Sequence, residues 1–121
     1  MGGKTDNREI GTIGEAAAAV FLTKKGMEIL ERNYGTKFGE IDLICRENDR
    51  IIFVEVKTKK GHNFGTPEEM FTHGKKRKVR RMATLYLKGE EVPCRIDMVA
   101  VDLDDENQVK EIRYYANAGE T

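Results

Sequence analysis

Asp42, Glu55 and Lys57 are the residues of this 121-residue chain whose types and spacing point most directly to chemistry. They stand on two short apolar runs, 39–46 and 50–58, separated by Glu47-Asn48-Asp49. A turn centred on Asn48-Asp49 pairs residues whose numbers sum to 97. That register sets Asp42 opposite Glu55, Glu40 opposite Lys57 and Ile44 opposite Phe53, while Ile41, Leu43 and Cys45 face Val56, Val54 and Ile52 on the other side. A slip of one residue would turn the carboxylates into the core, so the apolar pattern supports the register. Carboxylates about 5 Å apart repel by about 3 kcal/mol at an effective dielectric near 20, and such a pair needs a compensating cation. Lys57 is one. A hard divalent ion such as Mg²⁺ is another, held by Asp42, Glu55 and the backbone carbonyl of Val56, with water and a substrate phosphate completing its shell. On spacing alone, a cross-strand charge network on a half-exposed sheet accounts for the same residues, and both readings stay open at this point.

A second constellation is cationic. From Lys57 to Lys88 ten bases stand against only Glu68 and Glu69, a local charge of +8, although the whole chain balances 21 bases with 21 acids. Six of the ten are Lys75, Lys76, Arg77, Lys78, Arg80 and Arg81. On a helical wheel Arg77, Arg80, Arg81, Thr84 and Lys88 gather opposite Val79, Met82, Ala83 and Tyr86, so one helix can pack along one side and present a cationic strip along the other. With Lys59, Lys60, Lys75 and Lys76 this strip is the candidate nucleic-acid surface; a solvated amphipathic face is the plain alternative. No base-reading motif, zinc finger or aromatic stacking platform is evident, so recognition would follow backbone and shape rather than sequence. Nothing marks His62 or His73 as a metal ligand.

Positioning these residues requires a fold whose elements are legible in outline. Ile10, Ile13, Ala17, Val20 and Phe21 recur at helical spacing around the alanine run 16–19, predicting a helix over about 8–25 that Gly26 ends. Strands follow over 27–34, 39–46 and 50–58, an antiparallel meander. Residues 59–65 read as a flexible loop, and Thr66-Pro67-Glu68-Glu69 as a helix N-cap, with Gly74 a candidate break before the Val79 stripe. Two more strands are expected over 95–103 and 109–115. The class is α/β, in the order helix, three strands, helix, two strands. Glu15 projects with Ala18, Ala19 and Leu22, away from Ile13 and Val20.

Composition narrows the rest. With 35% charged and 39% hydrophobic residues, the chain can form one core, read as a single domain over 1–121 with mobile ends at 1–7 and 117–121. No apolar run reaches the roughly 18 residues of a membrane helix, and Met1-Gly2-Gly3-Lys4-Thr5-Asp6 has no signal-peptide core, so no membrane partner and a cytoplasmic location are expected. Cys45 and Cys94 are too far apart in sequence for a Cys-x-x-Cys motif and are expected to be reduced and packed.

The run Gly39-Glu40-Ile41-Asp42-Leu43-Ile44, followed by Phe53-Val54-Glu55-Val56-Lys57-Thr58-Lys59, resembles the motif pair of the PD-(D/E)xK nuclease superfamily, with Ile41 in place of the proline. More closely, Gly14-Glu15, Arg32-Asn33-Tyr34, Lys37-Phe38-Gly39-Glu40-Ile41-Asp42, Phe64-Gly65-Thr66-Pro67-Glu68-Glu69 and Arg95-Ile96-Asp97-Met98-Val99-Ala100-Val101 resemble the YraN-type family. These are small bacterial endonuclease-like proteins related to archaeal Holliday-junction resolvases. The resemblance spans about residues 10–115. It implies a restriction-endonuclease-like sandwich whose central mixed sheet, a three-strand meander plus two strands, is flanked by helices. It also implies Mg²⁺- or Mn²⁺-dependent cleavage of nucleic acid, DNA in preference to RNA and branched or non-standard in form. Asp42 and Glu55 would hold the metal, Lys57 would position or activate water, and Glu15 matches an acidic residue that resolvases contribute from their first helix. Lys75 matches a basic position near the scissile region; Glu40, by adjacency alone, is expected to form a surface salt bridge in preference to standing behind Lys57. Symmetric cutting of a junction would call for a homodimer. The rival expectation is a nucleic-acid-binding module that keeps the fold without useful catalysis.

Overall fold

In the computed structural model, which describes residues 7–61, 69 and 71–119, the alanine-rich run forms helix α1, Asn7–Lys24. It stops where Gly26 takes φ +101° and the N–H groups of Gly26 and Met27 turn back to the carbonyls of Thr23 and Leu22, a left-handed ending that costs glycine no Cβ clash. Gly14, Ala18, Ala19 and Leu22 are its buried residues. Val20 departs from the expected stripe and is 55% exposed. The helix meets the sheet through small side chains because they allow close approach, and Gly14 is the extreme case: a Cβ there would lie 1.7 Å from Thr58 Oγ1.

Strands β1 (Glu28–Thr36), β2 (Gly39–Glu47) and β3 (Arg50–Lys60) form the expected meander. The β2–β3 ladder keeps the sum-of-97 register from Glu47↔Arg50 to Leu43↔Val54. Strand β3 runs on through Lys60 where a loop was expected from residue 59, because β4 (Cys94–Leu103) lies parallel to it and pairs with it as far as Lys60↔Leu103. A partner remote in the chain thus extends a segment that local composition marks as loop. Strand β5 (Val109–Tyr115) completes an open five-stranded mixed sheet in the order β1-β2-β3-β4-β5. The class is α/β, and the open sheet is consistent with the restriction-endonuclease-like expectation.

Helix α2, His73–Tyr86, lies between β3 and β4 in the chain. Thr72 caps it, its hydroxyl accepting the Lys75 N–H at 3.3 Å, and Gly74 sits inside the first turn without breaking the helix. Of the cap expected at 66–69, residues 66–68 lie outside the described residues. Val79, Met82 and Ala83 pack on Phe53, Ile44 and Met98, while α1 covers the opposite face through Leu43, Val54 and Val99. Ile41 belongs to the α2 side, not with Leu43 and Cys45 on the α1 side as strict alternation requires. The pleat is therefore interrupted at Asp42.

The chain end packs against the sheet as far as residue 119. Asp97 is fully enclosed and accepts from Arg95 Nε and the Asn117 N–H, both at 2.8 Å, and from the Tyr114 hydroxyl. A carboxylate this deep is tolerated only with such partners. The Gly119 N–H bonds Ile96 at 3.2 Å. Cys45 is buried as expected, whereas Cys94 is exposed. No helix among the described residues is long and apolar enough to cross a membrane.

Candidate active site

The interruption at Asp42 builds the site. Beyond Leu43↔Val54 the β2–β3 ladder stops, and the Asp42 carboxylate accepts the Val56 N–H at 2.7 Å. A side-chain oxygen thus serves an N–H that a regular hairpin would pair with a backbone carbonyl. Across the other edge of β2, Asn33 takes φ +52° and drops out of the β1–β2 ladder between Arg32↔Leu43 and Tyr34↔Ile41. Asparagine tolerates that left-handed conformation better than most residues. Its side-chain amide donates to Glu15 Oε1 at 2.8 Å. One irregular level of the sheet therefore assembles carboxylates from α1, β2 and β3.

Asp42 and Glu55 are half-buried and within hydrogen-bonding contact. Burial, then the charge of Glu55, pushes the Asp42 carboxyl up to about 8; the Val56 N–H opposes this and Glu15 adds to it. Glu55 is also raised, by burial first, with the hydrogen bond from Asp42 and the charges of Lys75 and Lys57 pulling it back. Both carboxyls are raised, so the pair retains a proton more readily than two separate carboxylates would. Such a pair resists full ionisation unless positive charge arrives. Among the described residues no three His, Cys, Asp or Glu side chains form a metal cage by themselves. An ion here would take two carboxylates and complete its shell from backbone, water or substrate oxygen.

Lys57, Lys75 and Glu15 thus lie within electrostatic range of Glu55, and Glu15 within that of Asp42 as well. Glu40 is not part of the group: it pairs with Gly35 on β1, and no ion pair joins it to Lys57. Lys57, Lys59 and Lys60 line a cavity of about 380 Å³ together with Asn7, Ile10 and Gly11. The cationic strip of α2 is less uniform than the wheel predicts. Arg77 is exposed, but the Arg80 guanidinium donates to the Gly119 carbonyl and is committed to the docked chain end. Arg81 lies 4.9 Å from the centre of the Phe38 ring, and the Lys76 ammonium 5.6 Å from that of Phe71. His73 opens α2, and His62 lies outside the described residues. Sequence reasoning assigned no role to Asn33; its signal was an asparagine inside a strand-forming run, a type depleted in strands and prone to left-handed geometry.

Residues 14–101 match the model of Uncharacterised protein family UPF0102. The chain belongs to the UPF0102 family. The UPF0102 protein of Syntrophomonas wolfei is 52% identical over 82 residues, covering 68% of this chain and 71% of that one. Those of Dictyoglomus turgidum and Geotalea daltonii are 38% and 40% identical over 93% and 96% of this chain, and over 98% and 93% of their own. Every residue of the site, from Glu15 to Lys75, falls inside the span matched by the UPF0102 model. Among solved structures, a calcium complex of SfsA from Pyrococcus furiosus is 16% identical at a TM-score of 0.35, covering 96% of this chain and 73% of that one.

Proposed function

We propose that this UPF0102 protein is a PD-(D/E)xK-type nuclease that hydrolyses phosphodiesters with Mg²⁺ or Mn²⁺, acting on branched or otherwise non-standard DNA in preference to RNA and without reading sequence. The observation that carries this reading is the half-buried Asp42–Glu55 pair, whose raised carboxyls call for a cation. Its donors are hard oxygens, the type Mg²⁺ and Mn²⁺ prefer. Asp42, Glu55 and the Val56 carbonyl would hold the ion, since an extended residue turns its N–H and C=O to the same side and the Val56 N–H is directed at Asp42. Bound there, the ion would supply Lewis acidity to the phosphate and lower the pKa of its water. Lys57 would orient the attacking water and stabilise charge on the phosphate oxygens. Glu15, fixed by Asn33, would hold a second water, and Lys75 would sit against the non-bridging oxygens.

The binding-module alternative draws on one observation: among the described residues, no third carboxylate stands close enough to complete a cage. A cleavage screen over duplex, single-stranded, flap and four-way-junction DNA with Mg²⁺ and Mn²⁺ distinguishes the two. Metal-dependent cutting that disappears in Glu55→Ala is expected. Binding without cutting on every substrate would leave the module, and cutting undiminished in Glu55→Ala would remove the catalytic assignment.

A further inference from the structure

The turn between β1 and β2 places one aromatic ring among cations. Thr36 pins this turn, its hydroxyl accepting the Phe38 N–H at 3.0 Å and donating to the Gly39 carbonyl at 3.3 Å. Gly39 takes φ +136°, and a Cβ there would stand 3.8 Å from the Met82 methyl, so the turn rests on α2. Phe38 is half-buried, with the Arg81 guanidinium 4.9 Å and the Lys37 ammonium 5.3 Å from its ring centre. Phe38, Gly74, Arg77, Lys78 and Arg81 line a recess of about 310 Å³. None of the five is acidic. The recess combines an aromatic face, the Arg81 guanidinium over it and two further cations, Arg77 and Lys78.

We propose that this recess is a subsite for one unpaired nucleotide, its base stacked on Phe38 and Arg81 and its phosphate held by Arg77 and Lys78. The inference rests on the nucleic-acid reading above and deepens it, by requiring a substrate with a single-stranded segment beside the cut. Aromatic and guanidinium planes take any base, so the subsite adds structure selectivity without sequence preference. Its volume is at the small end for ligand clefts, fitting one nucleotide rather than a duplex. Phe38 lies four residues before Asp42 on the same hairpin edge, about 13 Å of extended chain, so a strand in the recess can reach the carboxylate pair. The platform is illegible in sequence because Phe38 and Arg81 are far apart in the chain and only the docking of α2 brings them together.

The test is fluorescence anisotropy in EDTA, with a short fluorescein-labelled oligo-dT and a blunt duplex as separate probes, on the parent, Phe38→Leu and Phe38→Tyr. Phe38→Leu should weaken oligo-dT binding by about tenfold while leaving duplex binding nearly unchanged, and Phe38→Tyr should retain both. As a readout that needs no variant, 2-aminopurine within a single strand should be quenched on binding the parent. Equal losses on both probes, or no quenching, would overturn the subsite. Unchanged oligo-dT binding by folded Phe38→Leu removes the subsite and leaves the nuclease reading in place, whereas a parent that binds neither probe removes both. A poly-glutamate peptide that competes as well as oligo-dT, with the same dependence on Phe38, would reassign the recess to an acidic protein and also overturn it.

Discussion

The Asp42 carboxylate and the Val56 N–H meet at 2.7 Å at the point where the β2–β3 ladder ends. That bond ties the metal-ligand candidate to the strand that carries Glu55 and Lys57, so protonation and ion binding at Asp42 bear directly on the fold.

The first consequence is pH dependence. The Asp42 carboxyl is raised to about 8 from the ordinary carboxylate range. A group whose folded value exceeds its unfolded one stabilises fully below the unfolded value, near 4, and loses that contribution as pH rises through the folded value. In EDTA the parent should therefore lose stability between about pH 4 and 8, with a midpoint lower by several degrees at the alkaline end. Asp42→Asn should flatten the profile. Thermal melts across this range decide it, and parallel profiles for the two proteins would refute the assignment.

Metal should reverse the same penalty. With free Mg²⁺ or Mn²⁺ at ten times its dissociation constant, linkage gives about 1.4 kcal/mol, several degrees in midpoint for a domain this size. The shift should be larger above pH 8 than near pH 6, where the ion must displace a proton. It should be largely absent in Asp42→Asn; equal shifts in both proteins would place any bound ion elsewhere.

Two glycines of α1 should respond oppositely to alanine. Nothing lies within 4 Å of a Cβ at Gly11, whereas one at Gly14 meets Thr58 Oγ1 at 1.7 Å. Gly11→Ala should stabilise by up to about 1 kcal/mol through helix propensity. Gly14→Ala should destabilise by about 1–3 kcal/mol through overpacking and, by tilting α1, displace Glu15. Adding Thr58→Ala should recover part of the loss, a non-additivity that denaturant melts of the four variants would reveal.

Arg77 and Lys78 should contribute to single-strand affinity where Arg80 does not. If each contacts one phosphate, replacing both by Gln makes the log-affinity against log-salt slope for oligo-dT shallower by about 1.4. Arg80→Gln should leave the slope unchanged and lower the melting midpoint, because its guanidinium serves Gly119. A slope that flattens with Arg80→Gln would show that this bond yields to nucleic acid.

The hairpin register was legible because a short turn and a one-sided apolar pattern fix it locally: five successive pairs, Leu43↔Val54 to Glu47↔Arg50, keep the sum of 97. What failed was the extrapolation of strict alternation to Ile41. The break there depends on Asn33 and Glu15, residues from β1 and α1 that no local pattern connects to β2. Val20 alone departs from the stripe because the buried face centres on Gly14, Ala18, Ala19 and Leu22, with Ile10, Ile13, Ala17 and Phe21 partly buried on its flank. Lys59 and Lys60 read as loop because their strand partner, β4, arrives through a crossover.

That crossover has a kinetic consequence. Strands β2 and β3 are joined by Asn48-Asp49 and can pair within microseconds, whereas α2, with Lys75, comes into place through the slower non-local closure of β3 with β4. In that order Asp42 and Glu55 would approach with only Lys57, carried on β3 itself, to offset their charge until Lys75 arrives. Refolding of the metal-free chain in stopped flow should be faster near pH 5 than above about pH 8, and Mg²⁺ should abolish the difference. A pH-independent rate would mean that the carboxylates come together only after the barrier is crossed.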